Sequence, residues 1–126
     1  MTAGALALSA LTAPGAHLVS TQATLPTVAA GAAAGSGAVL SMAAGSTDAR
    51  GSVTVTVGTN ASVGVLATVT FNSTYSHIPT VIVGQTANTW NFGTSYYVGT
   101  VTVNSFQIDV AVANALNDTI PYHVIG

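Results

Sequence analysis

The sequence predicts an all-β protein, an antiparallel β-sandwich with an extended N-terminal arm. Three observations lead there. Apolar and polar residues alternate with a period of two in several short runs, most cleanly at residues 52–57, where Val53, Val55 and Val57 face one way and Ser52, Thr54 and Thr56 the other. These runs are separated by Gly, Asn, Ser and Asp at short, fairly regular intervals, the spacing of sandwiches and small barrels. The first 37 residues lack that grammar, being mostly Ala, Gly, Ser and Thr, and are assigned to an arm and small-residue linker ahead of a β-domain spanning 38–126.

The arm begins with a marginal helical pattern through Leu6, Leu8 and Leu11, weakened by Gly4 and stopped at Pro14-Gly15. Residues 17–25 are strand-like and end at Pro26. Residues 28–37, almost all Ala and Gly, suit either a flexible linker or close approach to another backbone. Residues 38–43 form a strand that turns through Gly45-Ser-Thr-Asp-Ala-Arg50 into residues 53–57, a first hairpin. After a loop at 58–64, Val65, Ala67, Val69 and Phe71 alternate with Leu66, Thr68 and Thr70 in a second clear strand.

Residues 72–77 turn the chain, and Ile78-Pro79 opens a third strand through Val81, Ile82 and Val83, with proline at the tolerated first position. The longest irregular piece is 84–94. Beyond it Tyr97, Val101 and Val103 share a face, Asn104-Ser105 reverses the chain, and Phe106, Ile108, Val110 and Val112 share a face of the returning strand. A turn at 114–118 leads to a closing strand at 120–125. Helix content is expected to be low.

Composition limits the function. A chain of 126 residues is one domain, large enough to bury a core, and without cysteine it has no disulfides or thiolate metal sites. Charged residues make up 3% of it, against roughly 25% in an ordinary soluble domain, so its surface is built from Thr, Ser, Asn, Gly and Ala. One Arg and no Lys cannot neutralise a run of phosphates, which excludes nucleic acid as a partner, and the polybasic route to membranes is missing. The apolar stretch 1–19 lacks the basic flanks of a signal peptide or membrane anchor and is read as a retained, non-membrane arm. Weak charge repulsion favours self-association.

Catalysis has little material: the carboxylates are Asp48, Asp109 and Asp118, the imidazoles His17, His77 and His123, and no nucleophile elbow, zinc motif or phosphate loop is present. Asp48 and Asp118 fall in turns, where a carboxylate bonds its own backbone. Asp109, on the Gln107 face of its strand, takes a solvent or interface position. The histidines are too scattered for a metal site, and His77 and His123 are read as packing beside Tyr75 and Tyr122. No metal or cofactor is expected. Asn60-Ala-Ser, Asn72-Ser-Thr and Asn117-Asp-Thr match the glycosylation pattern, as chance provides in so Asn-, Ser- and Thr-rich a chain.

The candidate ligand or subunit contact is Trp90 with Asn88, Asn91 and Phe92, joined by Tyr96 and Tyr97. An aromatic face beside amides suits a sugar ring, while Trp and Tyr are equally the residues that anchor subunit contacts.

Together Gly45-Ser-Thr-Asp-Ala-Arg-Gly-Ser-Val-Thr-Val-Thr56, Val57-Gly-Thr59, Ala67-Thr-Val-Thr-Phe71, Ile78-Pro-Thr-Val81, Phe106 and Tyr122-His-Val-Ile-Gly126 resemble a β-sandwich module of tailed-bacteriophage virion proteins, found in head decoration proteins and tail-fibre tips. The order Val-Thr-Phe, turn, Pro-Thr-Val is also similar to the H-type lectins. The resemblance spans about residues 26–126 and implies a homotrimer in a virion, on the capsid surface or the tail. Without a coiled-coil or repetitive stalk before the module, the chain looks more like a decoration protein than a fibre. The expectation is therefore a non-enzymatic capsid decoration, or cement, protein that contacts itself and the major capsid protein or other virion subunits. The alternative is a tail-fibre or tail-tip protein that binds a host receptor or surface glycan. An enzyme is not expected, since a depolymerase needs paired carboxylates at working distance.

Overall fold

The computed structural model describes residues 20–85, 95–113 and 117–126. They form eight strands in two antiparallel sheets: β1 (Thr27–Ala30), β2 (Val39–Met42), β3 (Arg50–Thr56), β4 (Gly64–Thr70), β5 (Thr80–Val83), β6 (Tyr96–Val101), β7 (Ser105–Val110) and β8 (Asp118–Ile125). The first sheet runs β1-β4-β7-β6 and the second β2-β3-β8-β5. The two β-rich faces close on each other as a sandwich. A 3-10 turn, Ala32–Ala34, links β1 to β2.

Alternation places the core where the residues dictate. Val53, Val55, Val69, Phe106, Ile108, Val110 and Ile120 are fully buried between the sheets, while Thr54, Thr68, Gln107 and Thr119 look outward. The expected first hairpin is present, with Val39 opposite Thr56 and Met42 opposite Val53. So is the β6–β7 hairpin, closed by a turn in which the Thr102 amide donates to the Ser105 carbonyl at 2.8 Å.

The arm and linker read from the sequence extend to residue 37, but residues 27–37 belong to the sandwich. Residues 20–25 form no strand; β1 starts after Pro26 and pairs with β4, Thr27 opposite Thr70 and Ala30 opposite Ala67. Ala33 and Ala34 are buried in the core. Of the two uses foreseen for this small-residue stretch, close backbone approach is the one the fold makes. A Cβ on Gly31 would stand 2.1 Å from the Val65 carbonyl oxygen, so only glycine fits there.

Two β-bulges alter the faces that strict alternation gives. In β4 the register shifts between Val65 and Ala67, so that Leu66 and Ala67 are both buried and Val65 is displaced from their row. In β6 it shifts between Val98 and Val101, so Tyr97 points outward while Val101 packs against the core. Tyr97 and Val101 therefore do not share a face. Strand β7 ends at Val110, leaving Val112 exposed beyond it.

Candidate functional site

Much of the polar structure converges on the loop between β2 and β3. Thr47 closes it: its amide donates to the Arg50 carbonyl at 2.7 Å, and its hydroxyl oxygen accepts from the amides of Ala49 and Arg50, each at 3.2 Å. Asp48, buried, does not bond its own turn as expected. Its two carboxylate oxygens accept from the backbone amides of Asn72 at 2.8 Å and Ser73 at 2.9 Å, tying this loop to the one after β4. The chain entering from Ser20 is fastened to the same place, Ser20 Oγ lying 2.9 Å from Thr47 Oγ1 and Gln22 Oε1 accepting from the Asp48 amide at 2.8 Å.

Two tyrosines reach the loop from below. The Tyr122 hydroxyl donates to the Thr47 carbonyl and the Tyr75 hydroxyl to the Asp48 carbonyl at 3.1 Å. Burial first, then the neighbouring Asp48 charge, raise the pKa of both phenols above the usual tyrosine value. Both hydroxyls remain protonated donors at neutral pH. The rings of Tyr75, Phe71, Phe106 and Tyr122 touch in sequence, with centroids 4.9, 5.7 and 5.2 Å apart, and carry the loop's anchorage through the core.

Above this rigid base, Arg50 and His123 stand opposite each other at the β3–β8 pairing, both exposed on the outer face of the second sheet, with Ile82 of β5 opposite His123 on its other side. Two hollows meet at this pair. One, of about 300 Å³, is lined by Gly45, Ser46, Ser52 and Pro121 together with Arg50 and His123. The other, of about 430 Å³, is lined by Ser20, Ala49, Val124 and Ile125 with the same two residues. Arg50 is legible in the sequence as the one basic residue, but its pairing with His123 depends on register between strands far apart in the chain.

Of the residues singled out from sequence, Asn88, Trp90, Asn91 and Phe92 lie outside the described residues, as does His17. Tyr96 and Tyr97 are adjacent but serve different ends. Tyr96 is buried; its hydroxyl donates to Asp118 Oδ2 at 3.0 Å, and its backbone is bracketed by the Gln85 side chain, whose amide donates to the Tyr96 carbonyl at 2.7 Å. Tyr97 is 47% exposed on the outer face of the first sheet, opposite Asp109. Asp109 is on the Gln107 face as expected, but one of its oxygens, Oδ1, is buried without a hydrogen-bond partner beside Gly99. Asp118 bonds the following amide, Thr119, at 2.8 Å, as a turn carboxylate does. His77 pairs with Ser76, Nδ1 to Oγ at 3.1 Å, and His123 faces away from Tyr122.

Fold and surface define a β-sandwich with a rigid loop platform and sparsely charged outer sheet faces. No family model, curated protein or solved structure matches the chain. Among the described residues no group of three or more His, Cys, Asp or Glu is placed to hold a metal ion, and no helix is long and apolar enough to cross a membrane.

Proposed function

We propose that this chain is a non-enzymatic structural protein of a phage virion, a capsid decoration protein that bridges and stabilises neighbouring capsomers. The observation that carries the reading is the outer face of the second sheet. Ser41, Thr54 and Thr119 line up across β2, β3 and β8, with Val39 and Thr56 beside them and Ile82 and Ile125 at the far end; all but the half-buried Thr54 are exposed. Formal charge on this face is confined to Arg50.

Charged groups are depleted from the centres of stable interfaces, and this face is polar but uncharged over Ser41, Thr54, Thr56 and Thr119, with the exposed Ile82 and Ile125 at its far end. Two of the three carboxylates are bound into the fold: Asp48 holds two amides of another loop and Asp118 takes the Tyr96 hydroxyl. Such a face contributes by being buried against neighbours, and it suits a homotrimer seated on the major capsid protein.

The test is to measure the solution mass by light scattering, then mix the protein with undecorated capsids and count bound copies. Stoichiometric, symmetry-matched occupancy supports the reading. Capsids that ignore a stable oligomer overturn it. Binding on a glycan array, lost on Trp90→Ala or Tyr97→Ala, then moves the chain to the tail-tip, receptor-binding reading, for which the exposed ring of Tyr97 is the structural support.

A further inference from the structure

We propose that the Arg50–His123 pair is a binding site for a monocarboxylate with an apolar body. The guanidinium is the chain's one permanent cation, and each of the three aspartates is placed elsewhere: Asp48 on the amides of Asn72 and Ser73, Asp118 on Tyr96, and Asp109 on the first sheet beside Gly99. Arg50 is exposed on the outer face of the second sheet, and its guanidinium is the planar set of donors that can receive a carboxylate through two parallel hydrogen bonds.

The surroundings define the rest of the ligand. His123, directly across the strand pair, adds a ring N–H donor. The smaller hollow is polar, with the Ser46 and Ser52 residues at its wall. The larger is walled by Ala49, Val124 and Ile125, space for a branched aliphatic group and not for a second charge. One cation suits one negative charge, which favours a carboxylate over a phosphate dianion.

The site is also preformed. The backbone that carries Arg50 is held by Thr47, and the Ala49 carbonyl accepts from the Val124 amide at 2.8 Å, so the wall of the larger hollow and the base of the guanidinium are joined directly. A ligand then has to order the exposed Arg50 side chain but not the backbone beneath it, which lowers the cost of binding. This inference does not rest on the capsid reading, since a protein that leaves capsids undecorated still carries the pair.

The experiment is a ¹⁵N-edited NMR titration of the full chain with N-acetyl-leucine, its neutral amide N-acetyl-leucinamide, and acetate. N-acetyl-leucine is expected to shift the amides of Arg50, Ser52, His123 and Ile125 with a Kd on the order of millimolar. The neutral amide should leave them in place, and acetate should bind about tenfold more weakly, for want of the apolar body. Arg50→Gln should weaken binding of the acid at least about tenfold while the rest of the spectrum is unchanged, and Arg50→Lys, which keeps charge but not the planar fork, should fall between. Equal shifts with acid and amide, no shifts at these four residues, or an Arg50→Gln titration identical to the parent each overturn the proposal.

Discussion

The Tyr122 hydroxyl donates to the Thr47 carbonyl at 2.6 Å, joining the last strand to the loop that opens the second sheet's central pair. The bond is buried, and Tyr122 is itself 1% exposed. Its ring stacks obliquely on Phe106 of the opposite sheet, so one side chain ties both sheets to the loop. Gly51 leaves the space for it: a Cβ there would lie 2.7 Å from the Tyr122 oxygen.

Replacing Tyr122 with Phe should cost about 1–2 kcal/mol, because the Thr47 carbonyl loses a buried donor while the ring packing stays. The pH dependence follows from the raised pKa. Below about pH 10, the unfolded tyrosine value, the neutral phenol's contribution is fully present; above it the unfolded chain loses its proton first, and stability falls as pH climbs toward the folded value. Urea denaturation at about pH 8 and about pH 11 should show a smaller alkaline loss in Tyr122→Phe than in the parent, with Tyr75 contributing in the same direction in both. Identical alkaline losses would contradict this assignment.

Asp48→Ala should destabilise the fold by about 3 kcal/mol, since it strips acceptors from the Asn72 and Ser73 amides and unties two loops. Asp48→Asn, with one acceptor oxygen retained, should lose roughly half as much. Urea midpoints of the two variants decide it: an alanine variant as stable as the parent removes the cross-loop role.

Gly31 and Gly37 should respond differently to alanine. At Gly31 the new methyl meets the Val65 carbonyl, and the site cannot open because the Gly31 amide donates to the Leu66 carbonyl at 2.8 Å; a loss of about 3 kcal/mol or more is expected. Gly37 has open space but a φ of +78°, and alanine there should cost only about 1 kcal/mol. Equal thermal shifts in the two variants would show that β1 is not held against β4 as described.

Asp109→Thr should raise stability by about 1 kcal/mol. The change removes the carboxylate oxygen buried without a partner beside Gly99 and puts a β-branched residue at an outward strand position. A lower melting temperature would mean that this carboxylate is bound by something the fold supplies.

Where one face of a strand is apolar and the other polar, the fold was legible from the residues alone. Val53 and Val55, then Phe106, Ile108 and Val110, and Ile120 with Tyr122 and Val124 all point inward as period two requires. Strand β1 was not legible, because Thr27–Ala30 reads Thr-Val-Ala-Ala, weak in strand propensity, and is a strand only because the edge of β4 pairs with it. The bulges at Val65/Ala67 and Val98/Val101 escaped for a related reason: one inserted residue reverses every face beyond it, and only the partner strand shows where it falls. Of the candidate contact residues, Tyr97 is exposed and Tyr96 is buried, a division set by which of two adjacent positions faces Val110 or Asp109 from the inside.

The sequence by itself determined the all-β class, the main hairpins, a sparsely charged surface and an absence of cysteine chemistry, since each follows from local alternation or from counting residues. Tertiary structure alone decided that Asp48 serves a distant loop, that Tyr122 anchors Thr47, and that Arg50 meets His123 between two hollows. Those relationships join residues far apart in the chain, and strand register, which fixes them, is a property of the paired sheets and not of any one segment.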